Sequence, residues 1–202
     1  MDAQKKHLFV IENPLLDISV EMTDNSLLEK YGIQHGMASL ATPEQLPMYD
    51  ELWAMENRQS IPGGSGLNTA RAANFILKNQ DHANHVTYFG SIGHCDKGAV
   101  LEDIVKSEGV NGNFHKDAEA PTGTCAVIVV NKERALCANL AAACKYDIAH
   151  LHNNMDTLRQ SSLIYSTSFF ITSNVNALHE IGQFASDNDI PFAFNFSAVF
   201  LI

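Results

Sequence analysis

Basic residues are scarce. Lysine and arginine together number 13 against 23 aspartates and glutamates, which leaves a formal net charge of −10. The cations never gather into the stripe that would displace counterions from a phosphate backbone, so nucleic acid is excluded as the expected partner. An anionic small substrate is not excluded, because backbone N–H groups or a helix N-terminus can cancel charge locally. Apolar runs long enough to span a bilayer are missing, and Met1–His7 leads into the chain without a signal-peptide core. The expectation is a cytoplasmic protein that makes no membrane contact. Cysteine is sparse as well: Cys95, Cys125, Cys137 and Cys144 show no Cys-X-X-Cys spacing, so neither a zinc cage nor a disulfide framework is expected and no metal site is assigned. What remains is an ordinary composition, 46% hydrophobic and 18% charged over 202 residues, sufficient for one domain with a sizeable core or one domain with a small appendage.

Glycine is concentrated in one place. Ile61-Pro62-Gly63-Gly64-Ser65-Gly66-Leu67-Asn68 carries three glycines in four residues. Such a cluster implies positive φ, a hinge, or backbone lying close to a ligand. The spacing of Ala70, Ala73, Asn74 and Leu77 predicts a helix over Asn68–Lys78, capped by Ser65 or Asn68. A glycine turn feeding a helix N-terminus suits a polar ligand, although a plain strand-to-helix turn reads the same locally. The segment lacks the third glycine of a dinucleotide fingerprint and the Gly-Lys-Ser/Thr of a P-loop.

The rest of the chain alternates. His7–Ile11 reads as a buried strand ending at Glu12-Asn13-Pro14, with Asn13 and Asp17 just past its end as either a site pair or a turn cap and a solvated acid. Ile18–Met22 alternates as a half-exposed strand, Asp24–Tyr31 as a helix stopped by Gly32, and Met37–Ala41 as another strand. Pro43 to about Met55 reads as one helix burying Leu46, Tyr49, Leu52 and Trp53. Val86–Gly93 and the helix to Glu108 continue a βαβ rhythm. From Asn113 the expectation changes to antiparallel hairpins over Phe114–Lys116, Thr124–Val130 and Ala135–Asn139. Further pieces of helix, a strand over Ser162–Phe170, a helix over Ala177–Asp187 and a strand over Pro191–Asn195 follow.

With those segments placed, the stretches ENPLLDIS, PGGSGLNTARAANFIL, FGSIG, PTGTCAVIVV, RALCANLAAA, SFFIT and NFSAVF resemble, in order, the adenosine branch of the ribokinase-like family of sugar and nucleoside kinases. The resemblance implies an α/β fold whose parallel-rich sheet is flanked by helices (1–17, 61–112 and 141–202) under a small β-sheet lid (18–60 and 113–140). It also implies ATP-dependent phosphorylation of adenosine at the ribose 5′-hydroxyl with Mg2+, with a related nucleoside or sugar as the alternative acceptor. A truncated, non-catalytic nucleoside-binding module is the alternative of a different class. By position, Asp17, Gly64 and Asn68 resemble the residues that hold the ribose hydroxyls, with Gly63 beside them and Ser65 and Asn13 as neighbours of adenine and ribose. Leu15, Cys125, Leu136, Leu140, Phe169 and Phe200 resemble the apolar walls, and Arg134 the residue that stabilises the transferred phosphoryl. Ala38 stands where related kinases often carry glutamine. Family members continue past Ile202 through a Gly-Ala-Gly-Asp motif, so the expected arrangement places the catalytic base and most of the ATP site outside this chain. The resemblance further implies a monomer when full length, with the nucleus as a second location.

Overall fold

The computed structural model describes residues 7–79, 85–198 and 201. Strand β1 (Leu8–Ile11) is apolar on both faces, which is the signature of a central parallel strand. It lies between β5 (Val86–Gly93) and β9 (Leu163–Thr167), and the sheet is completed outward by β6 (Asn111–Asp117) and β10 (Phe192–Asn195). All four pairings are parallel. Phe9 and Ile11 point toward α5 (Ile148–His152), α6 (Met155–Arg159) and α7 (Ile171–Asp187), where they meet Phe89, Phe170 and Ile181. Val10 points to the other face, under α3 (Ser65–Lys78) and α4 (Asp96–Glu108), with Leu67, Tyr88 and Leu101.

A second sheet has the order β3-β8-β7-β2-β4, from β3 (Ala38–Leu40), β8 (Glu133–Asn139), β7 (Thr124–Val130), β2 (Leu15–Met22) and β4 (Gln59–Gly63). Its pairings are mixed: β2 runs parallel to β7 and β3 to β8, while β2–β4 and β7–β8 are antiparallel. Ile18, Val20, Ala126 and Ile128 fill one face against α1 (Ser26–Tyr31) and α2 (Pro47–Ala54). The β7–β8 hairpin turns at Asn131 and Lys132, both at positive φ (51° and 68°), the mirror-image turn whose twist matches the flanking strands.

Four expectations change. Phe114–Lys116 lies in β6 beside β5, not in the second sheet, because α4 ends at Gly109 (φ 91°) and returns the chain as one more parallel crossover. Asp17 lies inside β2 rather than in a turn, since pairing resumes at Leu15 directly after Pro14. The helix expected from Pro43 is a 3-10 turn (Pro43–Gln45) followed by α2, and Leu46 at their junction is 44% exposed. Helix α7 begins at Ile171 but breaks at Asn174, whose Oδ1 accepts the Ala177 N–H at 2.9 Å and caps the regular part. All four cysteines are free thiols. Among the described residues no helix is long and apolar enough to cross a membrane.

Candidate active site

The second sheet passes into the helix layer of the first at a glycine. Strand β4 ends at Gly63 and α3 starts at Ser65, so Gly64 alone makes the crossing. Its φ is 95°, and a Cβ there would lie 2.5 Å from the main-chain oxygen of Asn13. Gly63 has no such backbone demand; a Cβ on it would overlap the Asp17 carboxylate. One glycine serves the turn and the close approach, the other only the approach.

Neither Ser65 nor Asn68 caps α3. Gly64 occupies the cap position without a side chain, and the acceptor comes from another element: Oε2 of Glu12 receives the Gly66 N–H at 3.2 Å. Asn68 falls one turn in, where its N–H bonds to the Gly64 oxygen and its Oδ1 accepts from Arg71 at 3.1 Å. A capping acceptor was expected within three residues of the helix and stands instead at the end of β1.

Between the crossing and the second sheet is a cleft of about 390 Å³. Six of the expected residues line it: Asn13, Leu15, Gly64, Ser65, Leu140 and Phe169. Ala38, Leu40 and Ala138 form the opposite wall, and Glu12 and Thr172 the floor. Asn13 is 3% exposed; its Nδ2 donates to the Phe169 oxygen (3.0 Å) and to Thr172 Oγ1 (3.1 Å). Its Oδ1 is buried without a partner among the described residues. A buried acceptor left open at a cleft is a place for a ligand donor.

Asp17 reaches the same face through register. Leu40, Ala138, Cys125 and Asp17 are successive partners across β3, β8, β7 and β2, so their side chains form one row. Among the described residues no hydrogen bond or ion pair satisfies the Asp17 carboxylate, and burial raises its pKa to about 6 against the opposing pull of Arg71. That arginine is engaged by Glu108 at 2.6 Å and by the Pro62 oxygen at 2.8 Å. Leu136 and Arg134 alternate along the same face of β8, one and two steps further from the cleft; Leu136 is half-buried and Arg134 exposed. The four residue steps from Ala138 to Arg134 span about 13 Å, which leaves Arg134 outside the cleft. Phe200 lies outside the described residues.

Glu12, like Leu40, Ala138 and Thr172, lines the cleft although the sequence reading did not single it out. It is 1% exposed, and burial raises its pKa to about 7 despite bonds from Gly66, Thr167 and Ser65. The available signal was an acid closing the apolar run Leu8–Ile11. Because the folded value exceeds the unfolded one, the neutral form is favoured in the fold; the resulting stability is complete below about pH 4.5 and is lost as pH rises through about 7. Glu12→Gln, which cannot titrate, is expected to gain about 2–4 kcal/mol relative to the native protein between pH 5 and 8, measured by urea unfolding. A constant difference would show that Glu12 ionises normally.

The cleft therefore presents the Glu12 carboxyl, an open amide oxygen and apolar walls, with no lysine, arginine or histidine among its lining residues; the Asp17 carboxylate stands beyond that lining, at the end of the row from Leu40 through Ala138 and Cys125. Such a surface rejects anions and accepts a neutral molecule with an apolar body and several O–H or N–H donors.

The pattern of the pfkB family carbohydrate kinases matches residues 25–201. Adenosine kinase 2 of Arabidopsis thaliana is 37% identical over 191 residues, 94% of this chain and 54% of that protein. The structure of Trypanosoma brucei brucei adenosine kinase without ligand superposes with a TM-score of 0.91 at 33% identity, covering 98% of this chain and 60% of that one. Schistosoma mansoni adenosine kinase in complex with adenosine gives a TM-score of 0.86 at 27% identity, covering 99% and 57%. The chain spans about half the length of the curated relatives it matches. Its parallel sheet flanked by helices is the ribokinase-like arrangement of these structures. By the match over most of its length, the chain belongs to the pfkB family of carbohydrate kinases.

Proposed function

We propose that the chain provides the nucleoside site of an ATP-dependent adenosine kinase, which transfers the γ-phosphoryl group of ATP to the ribose 5′-hydroxyl and yields AMP. The observation that carries this reading is the open Asn13 Oδ1 in a cleft with apolar walls and no cation among its lining residues, with the unsatisfied Asp17 carboxylate in the strand row that continues from its Leu40–Ala138 wall. A carboxylate half-removed from water accepts two vicinal hydroxyls well, and Leu40, Leu140 and Phe169 offer a purine the flat apolar shelter it needs. The relatives named adenosine kinase support the choice of nucleoside over free sugar.

Phosphoryl transfer depends on positioning and on stabilising charge at the transferred group. In this reading Asp17, Asn13 and Gly64 orient the ribose, and the second sheet acts as a lid hinged at Gly64 that excludes water once it closes. Arg134, exposed on the lid face beyond Leu136, would reach the phosphoryl only on closure. The family implies ATP with Mg2+ as donor. Among the described residues no group of three or more His, Cys, Asp or Glu is placed to hold a metal ion, so the assignments here concern the acceptor side alone.

The test is a substrate panel with the intact protein, ATP and Mg2+: formation of AMP from adenosine is the expected result. Phosphorylation of ribose in preference to adenosine would replace the nucleoside with a sugar, and tight adenosine binding without transfer would favour a binding module.

A further inference from the structure

We propose that Glu12 and Ser65 form a proton-linked pair that sets the hydrogen-bond polarity of the cleft wall, so that one proton on Glu12 decides whether Ser65 offers a ligand an acceptor or a donor. The proposal rests on reading the cleft as a nucleoside site only for its ligand arm.

The geometry restricts where that proton can sit. Oε2 of Glu12 faces the Gly66 N–H at 3.2 Å, a group that can only donate. Oε1 faces two hydroxyls, Thr167 Oγ1 at 3.2 Å and Ser65 Oγ at 3.5 Å, which can donate or accept. A proton bound by the carboxylate therefore resides on Oε1. With Glu12 ionised, both hydroxyls direct their protons at Oε1, and Ser65 shows its lone pairs to the cleft. With Glu12 neutral, Oε1–H becomes a donor and one hydroxyl must turn round.

Thr167 is fully buried and has Glu12 as its side-chain partner, with no second acceptor among the described residues. Ser65 is exposed and lines the cleft, so it is the hydroxyl that turns and releases its proton toward a ligand. The carboxylate is held in place by the Gly66 N–H on Oε2 and the Thr167 hydroxyl on Oε1, both at 3.2 Å, in a side chain that is 1% exposed.

The surroundings leave the charge of Glu12 uncompensated. From β5, Tyr88 donates its hydroxyl to the Glu12 main-chain oxygen at 2.9 Å and is itself held protonated by complete burial. From the 3-10 turn Ala141–Cys144, the half-buried Cys144 thiol is pushed up by burial and in part by Glu12. From α3, Arg71 is taken by Glu108, and its field acts on Asp17 of β2. No cation pairs with Glu12 among the described residues. Burial then places its titration near neutrality, where one proton can be exchanged under ordinary conditions.

The experiment has two arms. In the free intact protein, carbon-13 NMR of labelled glutamate side chains, with Glu12 assigned through Glu12→Gln, is expected to show a carboxyl titrating near neutrality. Ser65→Ala should move that midpoint upward, because the ionised form loses a donor. In the ligand arm, the adenosine Kd of the native protein is expected to change by at least about threefold between roughly pH 5.5 and 8.5, and the part of this change centred near neutrality to vanish in both Glu12→Gln and Ser65→Ala, leaving only the Asp17 step at about 6. A Glu12 carboxyl that stays ionised across this range, a midpoint indifferent to Ser65→Ala, or a step near neutrality that survives Ser65→Ala would each overturn the proposal. Coupled titration in a protein that does not bind adenosine would instead remove the nucleoside reading and leave the pair standing.

Discussion

Asp17→Ala is expected to weaken adenosine binding by about 2–5 kcal/mol, roughly thirtyfold to several-thousandfold, without lowering the stability of the free protein. The two halves of that expectation have one cause. Asp17 sits inside β2 with its carboxylate half-buried, raised to about 6 and unsatisfied among the described residues, so in the free protein it is a desolvated charge that the field of Arg71 offsets only in part. Removing it relieves the fold. The bound state loses the acceptor for two hydroxyls and leaves them unpaired, which is the costly side of a broken charge-assisted bond. Asp17→Asn should fall between, since an amide keeps one acceptor. Calorimetric titration beside a thermal melt checks both halves, and native affinity in a folded Asp17→Ala protein would reduce Asp17 to a strand residue with no ligand. Because the ionised form is the better acceptor, native affinity should also decline as pH falls through about 6.

Gly64→Ala is expected to act in the opposite manner, costing about 2–5 kcal/mol of stability. An alanine at φ 95° is strained on any backbone, and here its Cβ meets the Asn13 carbonyl at 2.5 Å, a main-chain atom that cannot move without displacing β1. Gly63→Ala provides the contrast. Its Cβ strikes the end of the Asp17 side chain, which can rotate, so this variant should stay folded and lose affinity as Asp17→Ala does. Urea unfolding of both alanine variants tests the pair of statements: equal stability losses would mean that the two glycines do the same job.

Most of the parallel sheet was legible because β1, β5 and β9 are apolar runs, and β5 and α4 fall where the pattern ends them; β6, the polar run Asn111–Asp117, was not. The second sheet was less legible. Its β2–β7 pairing joins Leu16 to Thr124 across more than half the chain, and nothing local to either strand states that they run parallel. Of the six expected residues that line the cleft, Asn13, Leu15, Gly64 and Ser65 lie in the glycine turn and the segment after β1, which local signals mark as chain reversals, whereas Leu140 and Phe169 could be named only through the family resemblance. Glu12 could not. Its role comes from the distant donors Thr167, Ser65 and Gly66, and a trans cap leaves no spacing to read. Arg134 shows the converse, a residue named through the resemblance that stands exposed near the start of β8, outside the cleft lining.

The chain passes between the two sheets four times: β1 belongs to the first, β2 to β4 to the second, β5 and β6 to the first, β7 and β8 to the second, and β9 and β10 to the first. Neither sheet is therefore a continuous stretch that can fold as it leaves the ribosome. Strand β1, the most apolar, emerges first and has no neighbour until Val86 and no second one until Leu163. Through that interval its edges are open and its best partner is another nascent chain in the same state. Slow folding from high contact order is expected, with an interval of exposed strand edges that has nothing to do with the stability of the finished cleft.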